Sequence, residues 1–215
     1  MDNKVYRDGV YPLFATPVAS YQLGRDFTKE ELSYIRECLQ NLSPNEGNNS
    51  TSITNILHQP AMKSLLSFCS DSVQDYSENV QELNDGKASI TQSWINISKQ
   101  GQFHHTHHHA NSLWSGVLYI QSHETDKIVF YAKRGHTSFQ LTPYNYNVFN
   151  SNSWYLPVAN TNLLIFPSHL EHSVPPTKST ERISLSFNTF PTTQIGSAKS
   201  LNLLDFQSTT HNQIN

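Results

Sequence analysis

Five of the six residues from His104 to His109 are histidine, and a further one, His172, stands far downstream, followed by the pair Arg182-x-Ser184. Imidazole nitrogens are ligands for divalent transition metals, iron and zinc among them. Side chains alternate faces on an extended chain, so His105, His107 and His109 fall on one side and His104 and His108 on the other. Only one of these sets can enter a barrel mouth. His107, His109 and His172 then outline a three-residue metal site; a solvated histidine tract is the alternative. Arg182 and Ser184 share one face, while Ile183, Leu185 and Phe187 occupy the other. An arginine turned into a barrel is costly unless an anion neutralises it, and a carboxylate matches its planar fork. On the surface, Arg182 would pair with Glu181 or Glu171 instead. The inward alternative describes a metal ion beside a grip for a small organic acid.

Several elements must position these groups. Residues 10–23 alternate apolar with small or polar residues around two prolines and read as an edge strand. Thr28 followed by Glu31 reads as a capping box, and Leu32, Ile35, Leu39 and Leu42 recur at helical spacing behind it. Residues 43–52 read as a polar loop. A second helix is expected from about Pro60 to Leu83, closed by Asp85-Gly86. From Lys87 onward, short segments rich in Val, Ile, Tyr, Phe and Trp alternate with turn formers, including Lys99-Gln100-Gly101 and Arg134-Gly135. ASITQSWINIS, SLWSGVLYIQS, KIVFYA, HTSFQL, YNVFN, SWYLPVA, NLLIFPS and RISLSFNTF are the expected strands. Helices first and strands afterwards predict an α+β, mainly β fold. Its expected form is a double-stranded β-helix, or jelly roll, with N-terminal helices packed on one sheet. One domain over residues 1–200 is expected, with helices in about 27–83 and barrel strands in about 88–190, and a polar tail at 201–215.

Composition narrows the class. A hydrophobic fraction of 36% supports one core, and a net charge of −3 without a basic face makes nucleic acid an unpromising partner. Cys38 and Cys69 sit within the two helices and are expected as free thiols. The first ten residues, MDNKVYRDGV, lack an apolar signal region, and no apolar run is long enough to span a bilayer, so a cytoplasmic protein is expected. If the source is viral, that means the host cytoplasm. The edge strand offers one route to a homodimer.

Four blocks in order resemble the 2-oxoglutarate- and iron(II)-dependent oxygenases. They are SWIN at Ser93 to Asn96, GQFHHTHHHANSLWSGVLYI from Gly101, LLIFPSHLEHSVPP, and ERISLSFN ending at Asn188. Within that family they are similar to a group of small proteins from marine bacteria and phages, and the FATPV segment at Phe14 to Val18 also looks like that group. The resemblance covers about residues 90–190. It implies iron(II), 2-oxoglutarate and O2 as cofactor and co-substrates, with His107 and His172 as ligands and Arg182 and Ser184 on the distal carboxylate. Asn96 matches the place of a co-substrate-binding asparagine in the alkylation-repair branch. Tyr119 is a candidate for the co-substrate or for the core, and Trp94 and Trp114 for core or pocket wall.

The departure from the family pattern is His109, which stands where a 2-His-1-carboxylate triad has Asp or Glu. No acidic residue lies between Asp85 and Glu124. Three arrangements remain open: His109 ligates, a distant residue such as Glu171 swings in, or water or chloride fills the position. Three histidines suit zinc as well as iron. The resemblance implies hydroxylation of an unidentified small-molecule or peptide substrate, with halogenation conceivable were position 109 not a ligand. The alternatives are a non-catalytic jelly-roll module that binds metal or ligand, and a zinc hydrolase, for which Glu171 is the only adjacent carboxylate. An inward Arg182-x-Ser184 favours the oxygenase.

Overall fold

A computed structural model describes residues 9–51, 53–83, 87–132 and 142–205. Strand β1 (Ala19–Gln22) precedes helix α1 (Lys29–Cys38), a hairpin of β2 (Leu42–Asn45) and β3 (Asn48–Thr51), and helix α2 (Lys63–Asp75). The barrel strands follow: β4 (Ala88–Lys99), β5 (His104–His107), β6 (Trp114–Gln121), β7 (Lys127–Tyr131), β8 (Ser153–Pro157), β9 (Asn162–Pro167), β10 (His172–Val174) and β11 (Glu181–Pro191). They form a seven-stranded sheet in the order β1-β9-β6-β11-β4-β3-β2 and a four-stranded sheet in the order β5-β10-β7-β8. All the strand pairings are antiparallel.

Period-two patterning divides the larger sheet into two faces. Leu118 and Ile120 on β6, Leu163 and Ile165 on β9, and Ile183, Leu185 and Phe187 on β11 face outward, where they pack with Ile35 and Cys38 of α1 and Leu65, Cys69 and Val73 of α2. The helices thus cover one sheet, as expected for the α+β jelly roll. Between the sheets lies a smaller apolar cluster of Val117, Tyr119, Ile128, Phe130, Val158, Leu164 and Phe166. Strands β4 and β11 contribute polar residues to the same inner face, Asn96 and Ser98 from one and Arg182, Ser184 and Ser186 from the other. The apolar cluster and the polar pocket meet at Val117, Tyr119 and Ile128.

Local signals account for much of this. Thr28 accepts a hydrogen bond from Glu31 N–H at 3.1 Å, and its own N–H donates to Glu31 Oε2 at 2.7 Å, forming the predicted capping box. Gly101 adopts φ +82 in the turn joining β4 to β5, a region that favours glycine. Both cysteines are free and buried.

Three expectations are corrected. Where a polar loop is expected over 43–52, β2 and β3 form a hairpin whose second strand pairs with β4 and widens the sheet. Thr51, buried in this hairpin, is satisfied by β4, its Oγ1 accepting from Ile95 N–H at 3.1 Å. The edge strand expected over 10–23 forms only at Ala19–Gln22, where it pairs with β9. YNVFN is a turn rather than a strand, closed by Asn147, whose N–H donates to Asn150 Oδ1 and whose Oδ1 accepts from Phe149 N–H. The expected strand HTSFQL, the turn Arg134-Gly135, the helix stop Asp85-Gly86 and most of the polar tail lie outside the described residues. No described helix is long and apolar enough to cross a membrane.

Candidate metal centre and anion pocket

The sequence separation between the histidines disappears in the smaller sheet, where β5 and β10 pair antiparallel with His107 directly opposite His172. Their ring centroids are 4.3 Å apart. His109 follows β5 in a loop fastened by its backbone N–H, which donates to Ser168 O at 2.9 Å. His107, His109 and His172 each offer a ring nitrogen within 4.8 Å of the other two.

Two of these rings are oriented by carbonyls. His107 Nδ1 lies 2.8 Å from His105 O, and His172 Nδ1 lies 2.9 Å from Leu170 O. A carbonyl only accepts, so Nδ1 carries the hydrogen and Nε2 keeps its lone pair for a metal. Burial depresses the basicity of the set. It holds His172 down at about 2, with His107 the next cause, and His109 at about 4. His107 is also lowered, chiefly by burial. All three are therefore neutral at pH 7, the state that ligates. Phe166 packs 4.8 Å from the His172 ring and Trp94 lies 5.7 Å from His109, ring centre to ring centre, so apolar walls restrict their rotation.

Alternation of His104 and His108 away from the site holds only for His108, which is exposed. His104 lines the pocket with His107 and His109, its ring stacked on His107 at 4.4 Å. The cause is a register shift: His107 pairs with His172, but His104 pairs with Val174, so three steps on β5 match two on β10. One extra residue reverses the alternation beyond it. His104, His105 and His107 make a second cluster with metal-ligand spacing. Its nitrogens are more engaged: Asn45 Nδ2 is 3.3 Å from His104 Nε2, and His105 Nδ1 faces Glu46, 3.8 Å from its carboxylate.

Arg182 is 4% exposed and turned inward. It donates to Ser98 Oγ at 3.0 Å and Pro175 O at 3.2 Å, and its Nη1 stands 3.4 Å from Asp126 Oδ1. Its ion partner is therefore Asp126, not the surface carboxylates Glu181 or Glu171. Burial lowers its pKa, an effect that Asp126 opposes. Ser184 shares the pocket lining, as alternation requires, and pairs with Tyr119 and Asn96 on the neighbouring strands.

Asn96 Oδ1, Tyr119 OH and Asn48 Oδ1 are buried without a hydrogen-bond partner among the described residues, and all three residues line this pocket. A buried orphan is expensive, so three converging on one cavity indicate a polar occupant. Asn96 also donates to Ser186 Oγ at 3.0 Å. Trp94 is pocket wall, whereas Trp114 packs in the outer core edge-on to Tyr76. Asn48, Asp126, Ser98 and Ser186 were not evident beforehand. Ser98 and Ser186 continue the parity of Asn96 and Ser184, a signal available in the sequence. Asn48 and Asp126 sit in a hairpin and a turn, where no periodicity marks an inward residue.

Residues 92–188 match the family model described as "Putative 2OG-Fe(II) oxygenase". The matched residues run from β4 into β11. No curated protein sequence matches the chain. Among solved structures, a 2OG-Fe(II) oxygenase family oxidoreductase from Burkholderia pseudomallei aligns with TM-score 0.56 and 13% identity, over 80% of this chain and 83% of that one. A prolyl-4-hydroxylase from Pseudomonas putida aligns with TM-score 0.52 and 16% identity, over 80% and 92%. HygX from Streptomyces hygroscopicus, solved with nickel, 2-oxoglutarate and hygromycin B, aligns with TM-score 0.54 and 13% identity, over 82% and 84%. At these identities they share the double-stranded β-helix fold with this chain.

The depressed histidines carry a pH signature in the metal-free protein. Folded, His172, His109 and His104 stay neutral down to about 2, 4 and 3; unfolded, they take up protons below the ordinary 6.5. The unfolded chain binds more protons in that window, so stability is complete above pH 6.5 and is lost as pH falls toward 4. Thermal denaturation of metal-free protein should show the melting temperature falling across this interval, with a shallower slope in His109→Asn. A flat profile from ~6.5 to ~4.5 would mean the rings are not buried as neutral species.

Proposed function

We propose that this protein is a 2-oxoglutarate- and iron(II)-dependent dioxygenase that hydroxylates its substrate, with His107, His109 and His172 as the metal ligands. The observation that carries this is the convergence of three neutral imidazoles and a buried, inward arginine on one pocket. Three imidazoles leave coordination positions for a bidentate co-substrate and O2. Bound there, iron(II) with 2-oxoglutarate and O2 supplies the oxidising power for C–H hydroxylation, releasing succinate and CO2.

The protein's own groups have distinct tasks. His105 O and Leu170 O hold the His107 and His172 rings with Nε2 inward. Arg182 and Ser184 bind the distal carboxylate through charge-assisted and hydroxyl hydrogen bonds. The Tyr119 hydroxyl and the Asn96 amide offer further polar contacts to the co-substrate, since both present unpartnered atoms to the pocket. Trp94 and Ile128 exclude water from its walls. A module that only bound metal would have no use for an arginine buried beside the histidines. Three imidazoles also suit zinc, so the metal is identified by measurement.

The test is anaerobic addition of iron(II) and then 2-oxoglutarate to metal-free protein. A weak visible charge-transfer band should appear, and admission of air should release succinate. Tight zinc binding with no 2-oxoglutarate affinity would sink the oxygenase assignment and leave a metal-binding module.

A further inference from the structure

Asp126 belongs neither to the histidine cluster nor to the arginine-serine pair. It lies in the turn between β6 and β7, where its N–H donates to His123 O at 2.9 Å and its carbonyl accepts from Val158 N–H at 3.3 Å. That turn sends the side chain inward. The residue is 4% exposed, Oδ2 accepts from His123 N–H at 2.9 Å, and Oδ1 faces Arg182. Among the described residues, no aspartate or glutamate lines the pocket itself. The nearest negative charge to the arginine is therefore Asp126, one layer behind the wall.

We propose that Asp126 is the counter-charge of this pocket, supplying from beside Arg182 the negative charge that a ligand carboxylate would otherwise supply at the metal. This rests on the ligand set proposed above. A divalent metal, three neutral imidazoles, one guanidinium and one carboxylate carry a net charge of two positives. A divalent metal with two imidazoles, one ligand carboxylate and one guanidinium carries the same net charge. The dianion 2-oxoglutarate balances either arrangement. Replacing a ligand carboxylate by His109 is thus offset by placing a carboxylate behind the arginine, and the pocket keeps its preference for a dianion.

The hydrogen-bond lengths assign the task of positioning to other groups. Ser98 Oγ at 3.0 Å and Pro175 O at 3.2 Å hold the guanidinium from two directions, whereas the Asp126 contact is the longest at 3.4 Å. A long contact between buried opposite charges still acts strongly, because Coulomb attraction varies only as the inverse of distance and is weakly screened in the interior. Asp126→Asn keeps the shape and removes the charge, leaving Arg182 held by Ser98 and Pro175.

Two measurements decide the matter. In the iron-loaded protein under anaerobic conditions, 2-oxoglutarate affinity is titrated for wild type, His109→Asp, Asp126→Asn and the double variant. His109→Asp should weaken binding about tenfold, Asp126→Asn should strengthen it several-fold, and the double variant should return to within about threefold of wild type. If His109→Asp binds as tightly as wild type, or if Asp126→Asn weakens binding and the two losses simply add, the counter-charge assignment is overturned. Should Asp126→Asn fail to fold, the His109→Asp result decides alone. The second measurement needs no iron: succinate is titrated into metal-free protein at low ionic strength. Tighter binding to Asp126→Asn supports the assignment, and equal or weaker binding refutes it. Wild-type protein that binds neither iron nor 2-oxoglutarate would remove the proposed function, while the succinate titration still reports on Asp126.

Discussion

Arg182→Ala is expected to abolish measurable 2-oxoglutarate binding and to lower the stability of the metal-free protein. Two charge-assisted hydrogen bonds to a carboxylate contribute roughly 1.5–3 kcal/mol each, so losing both costs more than about a hundredfold in affinity. The second effect comes from behind the pocket. Without the guanidinium, Asp126 is left buried at 4% exposure with no cation, and removing one partner of a buried pair costs about 3–5 kcal/mol. Arg182→Lys separates the two effects. It keeps a positive charge for Asp126 and loses the planar fork, so it should recover much of the melting temperature and little of the affinity. Calorimetric titration and thermal denaturation of the three proteins make the comparison. If Arg182→Ala bound 2-oxoglutarate within threefold of wild type, the carboxylate grip would lie elsewhere.

How much of this was legible in the sequence follows from which features are periodic. The inward arginine was readable because Arg182 and Ser184 share parity against Ile183, Leu185 and Phe187, and a long central strand preserves parity along its length. The capping box was readable because it depends on two residues three apart. His107 and His172 were readable through their block context, although the strand pairing that brings them face to face was not. Parity failed at His104, where a bulge on β5 adds a residue that no local signal announces. Asp126 and Asn48 escaped for a related reason. Each reaches the pocket from a connection rather than a strand interior, so its direction is set by tertiary packing of the turn. The polar run 43–52 has loop composition, yet pairing with β4 makes Asn48–Thr51 a strand. Edge pairing can override propensity where only one face needs covering.

The same bulge gives the metal cluster its sharpest test. His172→Ala is expected to reduce metal affinity by more than about a hundredfold. Disrupting a group that merely orients a ligand already costs about 10–100-fold, and His172 is proposed as a ligand itself. It lies opposite His107 and is held by Leu170 O with its Nε2 lone pair free. His109→Ala should cause a loss of similar order. His104→Ala should change affinity less than about threefold, because its Nε2 is already engaged by Asn45 and its ring serves mainly to stack on His107. Competition with a chromogenic chelator, followed by metal analysis of the dialysed proteins, reads all three. Two arrangements of imidazoles with metal-ligand spacing share His107, and these variants tell them apart. Should His104→Ala cost more than about a hundredfold and His172→Ala little, the ion would lie between His104, His105 and His107. One ligand, His105, would then lie outside the lining that His104, His107 and Arg182 share, and the pocket would not enclose the whole metal site.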